Sequence, residues 1–187
     1  MVAAEVVEGA LAGDPRAADA LLRSFGPQVC RWCARLGGPR IDVEAAAQEV
    51  LLVVHRRLPE LTHPQQVAPF VFQVVRRVVA NERRRAWLRW WAPMPAAPLA
   101  TGEPGPEAAA EQAQRVRIVW EVVAALPADQ REVLVLVDLE ERTAPEAAAL
   151  LGIPEGTVRS RLRVARQRFR ERLLARGLAP AAIAEAS

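Results

Sequence analysis

The run Leu150-Leu-Gly-Ile-Pro-Glu-Gly-Thr-Val-Arg-Ser-Arg-Leu-Arg-Val-Ala-Arg-Gln-Arg-Phe-Arg170 carries the densest chemistry in the chain. An apolar segment breaks at Gly152, turns through Ile153 and Pro154, and reopens crowded with arginine. A short Gly-containing turn between two helices is the helix-turn-helix, whose second helix enters the major groove of DNA. At about 100° per residue, Val158, Leu162, Ala165 and Phe169 share one face, which must pack on the preceding helix. Thr157, Ser160, Arg163, Val164 and Gln167 point the other way. They supply hydroxyls, an amide, a guanidinium and a small apolar group, the side-chain types that read base edges. Arg159, Arg161, Arg166, Arg168 and Arg170 lie on the flanks, where phosphates would be. From Glu155 to Arg176 there are eight arginines against two acids, so the pattern points to DNA.

The elements that position these residues read as helices throughout. Asp14-Pro15 is a helix start, an N-cap followed by proline at the first helical position. Gly37-Gly38-Pro39 ends that region, and a second helix runs from about Val43 to Leu58. A polar loop over 59–64 leads to a long helix, opened by Pro69 and reaching about Trp91. Five prolines over 92–113 then interrupt a stretch of Ala, Gly and Glu, the composition of an extended linker. Beyond it lie a helix to Leu126, a turn at Pro127, a helix from about Asp129 to Glu140, and the helix-turn-helix. Val133-Leu-Val-Leu-Val137 is β-branched, but its context makes it helical.

Half of the 187 residues are hydrophobic, enough to bury real cores and to exclude a disordered chain. All 25 basic residues are arginine, the side chain suited to bidentate phosphate and guanine contacts, and codon bias toward GC explains the absence of lysine. No apolar run reaches the roughly 18 residues of a membrane span, and the acidic start Met-Val-Ala-Ala-Glu lacks a secretory signal. The expectation is a cytoplasmic protein. Cys30 and Cys33 form a lone C-x-x-C inside an amphipathic helix, with His55 and His63 as the chain's two histidines. A structural zinc site needs four clustered ligands and a thioredoxin-like motif needs a strand-turn-helix setting, so two ordinary helix cysteines are expected. No nucleophile, general-base or phosphate-loop constellation is present, which argues against an enzyme.

Two stretches, Ala125-Leu-Pro-Ala-Asp-Gln-Arg-Glu-Val-Leu-Val-Leu-Val-Asp-Leu139 and Ala147-Ala-Ala-Leu-Leu-Gly-Ile-Pro-Glu-Gly-Thr-Val-Arg-Ser-Arg-Leu162, carry a family resemblance, joined by Gln48-Glu49-Val50 in the first half. Over most of residues 11–175 the chain resembles the extracytoplasmic-function (ECF) sigma factors of bacterial RNA polymerase. The resemblance implies an all-α fold: a region 2-like domain over 11–92, a linker over 93–113 and a region 4-like domain over 114–178. It further implies a subunit that binds core polymerase and directs initiation at promoter minus-ten and minus-thirty-five elements. Polymerase docking then falls to Gln48, Glu49, Leu52, Val53 and Arg56. Minus-ten contacts fall to Thr62 and His63 in the loop 61–67, and to Gln73, Arg76, Arg77, Arg83 and Arg84. Minus-thirty-five contacts fall to Thr157, Arg159, Ser160, Arg161, Arg163, Val164 and Arg166. An anti-sigma partner, often at the inner membrane face, is implied as well; no cofactor or small-molecule substrate is.

Helical spacing gives an independent reading of the docking helix. Val43, Ala47, Val50, Leu51, Val54 and Leu58 share a core face, while Glu49, Leu52, Val53 and Arg56 face outward. Leu52 and Val53 exposed beside charges mark a docking surface, unless a neighbouring helix buries them. On the long helix, Val71, Val74, Val75 and Val78 form the buried stripe. Trp87, Trp90 and Trp91 near its end suit either packing or base stacking. The sequence departs from the family pattern at Ala45 (usually Asp), which bears on the polymerase contact, and at Phe70-Val71 (often Trp-Leu), Arg77 (often Asn) and Val164 (often Arg), which alters the expected base preference. A stand-alone helix-turn-helix regulator and a sigma-like adaptor without promoter opening remain the competing readings.

Overall fold

A computed structural model describes residues 4–91 and 107–178. They form eight α-helices: α1 (Ala4–Leu11), α2 (Pro15–Gly37), α3 (Val43–Arg57), α4 (Val67–Trp91), α5 (Glu107–Ala124), α6 (Ala128–Leu134), α7 (Ala144–Leu151) and α8 (Glu155–Leu174). No strand occurs among the described residues. None of their helices is long and apolar enough to cross a membrane. The expected linker over 93–113 lies outside the described residues as far as 106, and its remainder, 107–113, belongs to α5.

α1 to α4 make the first lobe. The Asp14 carboxylate accepts the Arg16 N–H at 3.0 Å, fixing the start of α2 beside Pro15. Val29, Trp32, Cys33 and Leu36 of α2 and Val71, Phe72 and Val75 of α4 are all buried. Trp32 meets Phe72 edge to face, ring centroids 4.9 Å apart. Asp42 caps α3 through the Ala45 N–H at 2.9 Å, so α3 starts without an aspartate at position 45. α1, which the sequence pattern leaves unassigned, adds Ala10 to this core with Val6, Val7 and Leu11 packed against it.

α5 to α8 make the second lobe, and there the helix expected over 129–140 changes pitch. After Leu134 the chain widens into a π-helical turn, Val135–Leu139, in which the Glu140 N–H donates to the Val135 carbonyl at 2.9 Å. Arg131 is buried against the α5–α6 turn and donates to the Ala124 and Leu126 carbonyls, each at 3.1 Å. Burial, with Arg83 nearby, lowers its pKa to about 10. Thr143 and Glu146 form a reciprocal capping box at the start of α7.

The two lobes pack against each other. Glu140 pairs with Arg35 at 2.6 Å and accepts from Gln28 at 2.8 Å. Glu132 pairs with Arg76 at 2.8 Å, at an angle that makes no hydrogen bond. Gly38, at φ 75°, lets the backbone pass close to α5: a Cβ there would lie 2.7 Å from that of Ala124.

Candidate nucleic-acid interface

Gly152 closes α7 in the left-handed region, φ 66°, and its N–H donates to the Ala148 carbonyl. Ile153 and Pro154 make the turn and α8 begins at Glu155, so the helix-turn-helix forms where the sequence places it. Val158, Leu162, Ala165 and Phe169 are buried, as the spacing requires. Arg163, Ser160, Arg159, Arg166 and Gln167 are exposed. Thr157 and Val164, expected to point fully outward, are half-buried because they border the packed face.

The arginines of α8 separate into tied and free groups. Arg166 chelates Asp138 through two hydrogen bonds, 3.0 and 2.6 Å, which raise its pKa. Arg161 lies 3.4 Å from Asp129, and Arg168 donates to Gln130. These contacts brace the recognition helix against α6 and the π turn. Arg159 pairs with Glu155 one turn back along α8. Arg163 and Arg170 make no side-chain hydrogen bond or ion pair among the described residues. Asp129 and Asp138 are the partners of these arginines that sequence reasoning missed. Neither lies within helical spacing of the arginine it orients.

In the first lobe, Thr62 and His63 stand exposed in a loop braced by Gln66, whose side-chain oxygen accepts both their backbone N–H groups at 3.2 and 3.3 Å. Arg57 stacks 5.4 Å over the Phe70 ring, holding the start of α4 against the end of α3.

The five polar residues expected to form one face of α4 split into two stripes. Arg77 and Arg84 are exposed and make no polar contact among the described residues. Arg76 and Arg83, also seven residues apart, point instead at the second lobe. Arg76 meets Glu132, while Arg83 is half-buried and donates to the Gly37 carbonyl at 2.9 Å and the Ala124 carbonyl at 2.6 Å. Gln73 reaches the Leu150 and Leu151 carbonyls at 3.4 and 3.2 Å. The expectation of one solvent-facing surface is corrected for Arg76 and Arg83, which α6 and the α5–α6 turn partly cover, whereas Gln73 stays exposed while its amide reaches the α7 carbonyls.

On α3, Gln48 and Arg56 are exposed and Glu49 lies 4.0 Å from Arg85. Leu52 is 55% exposed and makes an apolar platform beside these charges. Val53, expected to face outward, is half-buried and packs on the core. Trp87 is exposed; the side chains of Trp90 and Trp91 lie outside the described residues. Cys30 is exposed and Cys33 buried, and burial, with Cys30 adjacent, pushes the Cys33 thiol up to about 12. It is therefore no thiolate at neutral pH. No metal-binding group of His, Cys, Asp and Glu occurs among the described residues.

Family models match both lobes. Residues 21–92 match sigma-70 region 2 and residues 117–169 match sigma-70 region 4. The ECF RNA polymerase sigma factor SigD of Mycobacterium tuberculosis is 32% identical over 178 residues, covering 92% of this chain and 84% of its own length. The chain is an ECF sigma factor. The probable RNA polymerase sigma factor RfaY of Xanthomonas campestris pv. campestris is 36% identical over 147 residues; the match takes 73% of this sigma factor and 37% of that longer protein. The fold of this sigma factor is similar to that of RpoE from Bartonella quintana, solved in complex with the anti-sigma factor NepR. That structure gives a TM-score of 0.59 at 19% identity, covering 83% of this chain and 96% of that one.

Proposed function

We propose that this sigma factor binds core RNA polymerase and directs initiation at promoters through two separate readings of DNA. α8 reads the minus-thirty-five element with Ser160 and Arg163 toward base edges and Arg159 and Arg170 toward phosphates. Arg161 and Arg166, held by Asp129 and Asp138, orient the helix and share their charge with the backbone. The loop at Thr62 and His63, together with Arg77 and Arg84, faces the minus-ten element. Leu52, ringed by Gln48, Glu49 and Arg56, seats the first lobe on the polymerase in the cytoplasm. An anti-sigma protein is the expected regulator, as NepR is the partner in the RpoE complex.

The observation that carries this reading is the unpartnered Arg163 on the exposed face of a braced recognition helix, within a chain that also holds the family's first domain. Its test is mixing with core polymerase and transcribing a promoter library in vitro. Stable co-elution and transcripts from a shared two-element sequence support the proposal. Repression of a target without any polymerase association overturns it in favour of a stand-alone regulator.

A further inference from the structure

A cavity of about 310 Å3 opens where the α2–α3 turn, the later turns of α4 and α5 and the residues after α8 come together. Its lining carries three arginines, Arg40, Arg83 and Arg176, against one acid, Glu121. Like charges gathered round one space repel unless something negative shares it. Arg83 shows the imbalance most clearly. It is half-buried, and it spends two of the five donors a guanidinium carries on the Gly37 and Ala124 carbonyls. It makes no ion pair among the described residues. Burial and the nearby Arg40 lower its pKa, and Arg83 adds in turn to the lowering of Arg131 by burial. The two carbonyls therefore fix the guanidinium in place without neutralising it, which prepares it for an anion.

The rest of the lining narrows the choice of anion. Arg176 lies 3.2 Å from Glu121, but the two side chains are 54% and 40% exposed, so the pair is weak and readily exchanged. Trp87, 56% exposed, stands at the rim. An indole stacks a planar base, while guanidinium groups take phosphate oxygens in pairs. The volume falls at the small end of the ~300–1,000 Å3 range of ligand sites, which suits a single nucleotide and not a run of strand. We propose that this cavity binds a free nucleotide with a short phosphate chain. Arg40, Arg83 and Arg176 hold the phosphates, and the base lies on Trp87. Glu121 is the carboxylate that Arg176 leaves when the ligand enters. None of these groups serves the promoter or polymerase contacts, so the site stands or falls independently of them.

Calorimetric titration of the full-length chain with ADP, pyrophosphate, adenosine and a single-stranded oligonucleotide of degenerate sequence tests it. ADP should bind once per chain, pyrophosphate about ten-fold more weakly for want of a stacked base, and adenosine not at all. Arg40→Glu should weaken ADP about ten-fold or more. Trp87→Ala should bring ADP down to the affinity of pyrophosphate and leave pyrophosphate unchanged. Glu121→Gln should tighten ADP about three-fold by releasing Arg176. Arg23→Glu makes the same charge change on an exposed α2 residue that does not line the cavity, and should leave ADP within about two-fold. Circular dichroism checks that helix content is kept; if Arg40→Glu unfolds, Arg40→Ala replaces it. No ADP binding, equal losses in Arg23→Glu and Arg40→Glu, or pyrophosphate bound as tightly as ADP overturns the proposal. Oligonucleotide binding that needs Arg40 and Trp87, without ADP binding, gives the cavity to a nucleic-acid strand and overturns it as well.

Discussion

Arg163 and Leu52 have no structural duty in the free chain, so their loss should be felt in partners and not in folding. Arg163→Ala is expected to weaken promoter recognition by about 1–3 kcal/mol, the worth of a bidentate base contact, with an unshifted melting temperature. Anisotropy on a minus-thirty-five duplex and a thermal scan check both halves. Leu52→Arg should reduce co-elution with core polymerase while leaving the isolated protein's melting curve in place, because the side chain is already 55% exposed. Helical spacing alone identified Arg163, since a single face of α8 had to be outward. Spacing could not show that Arg166 and Arg161 are tied down. Their partners, Asp138 and Asp129, come from another element and become neighbours only once α6 crosses α8.

At the level of elements, the helix-turn-helix was legible because its signals are local: Gly152 at the cap, Pro154 in the turn, and apolar positions at a helical period. Gly152→Ala should destabilise this unit by about 1 kcal/mol or more, the cost of a Cβ in the left-handed region, measurable by denaturant titration. Thr143→Ala should cost about 1 kcal/mol through loss of the α7 cap. The cap is also pH-sensitive. The Thr143 N–H and hydroxyl hold the Glu146 carboxyl below its ordinary value, so this contribution is present above the unfolded value of about 4.3 and vanishes as pH falls through the lower native one. A melting-temperature profile of Glu146→Gln should lack that acid-limb slope. The π turn was not legible, because Val135–Leu139 has the composition of an ordinary buried helix and no residue type within it marks the wider pitch.

Across the whole molecule, the sequence announced two helical blocks and a proline-rich joint but not how the blocks meet. The contacts that join them pair residues such as Arg35 with Glu140 and Arg76 with Glu132, far apart in sequence and free of any shared periodicity. Promoter affinity of the polymerase complex should fall linearly on a log–log salt plot, with Arg170→Ala reducing the slope by about one phosphate. The widened coil at Val135–Leu139 has one further effect. Excising a single residue from it would restore ordinary pitch and swing Glu140 about 100° around the axis, away from Arg35. That five-residue coil acts as a spacer whose length sets the azimuth at which one half of the molecule addresses the other.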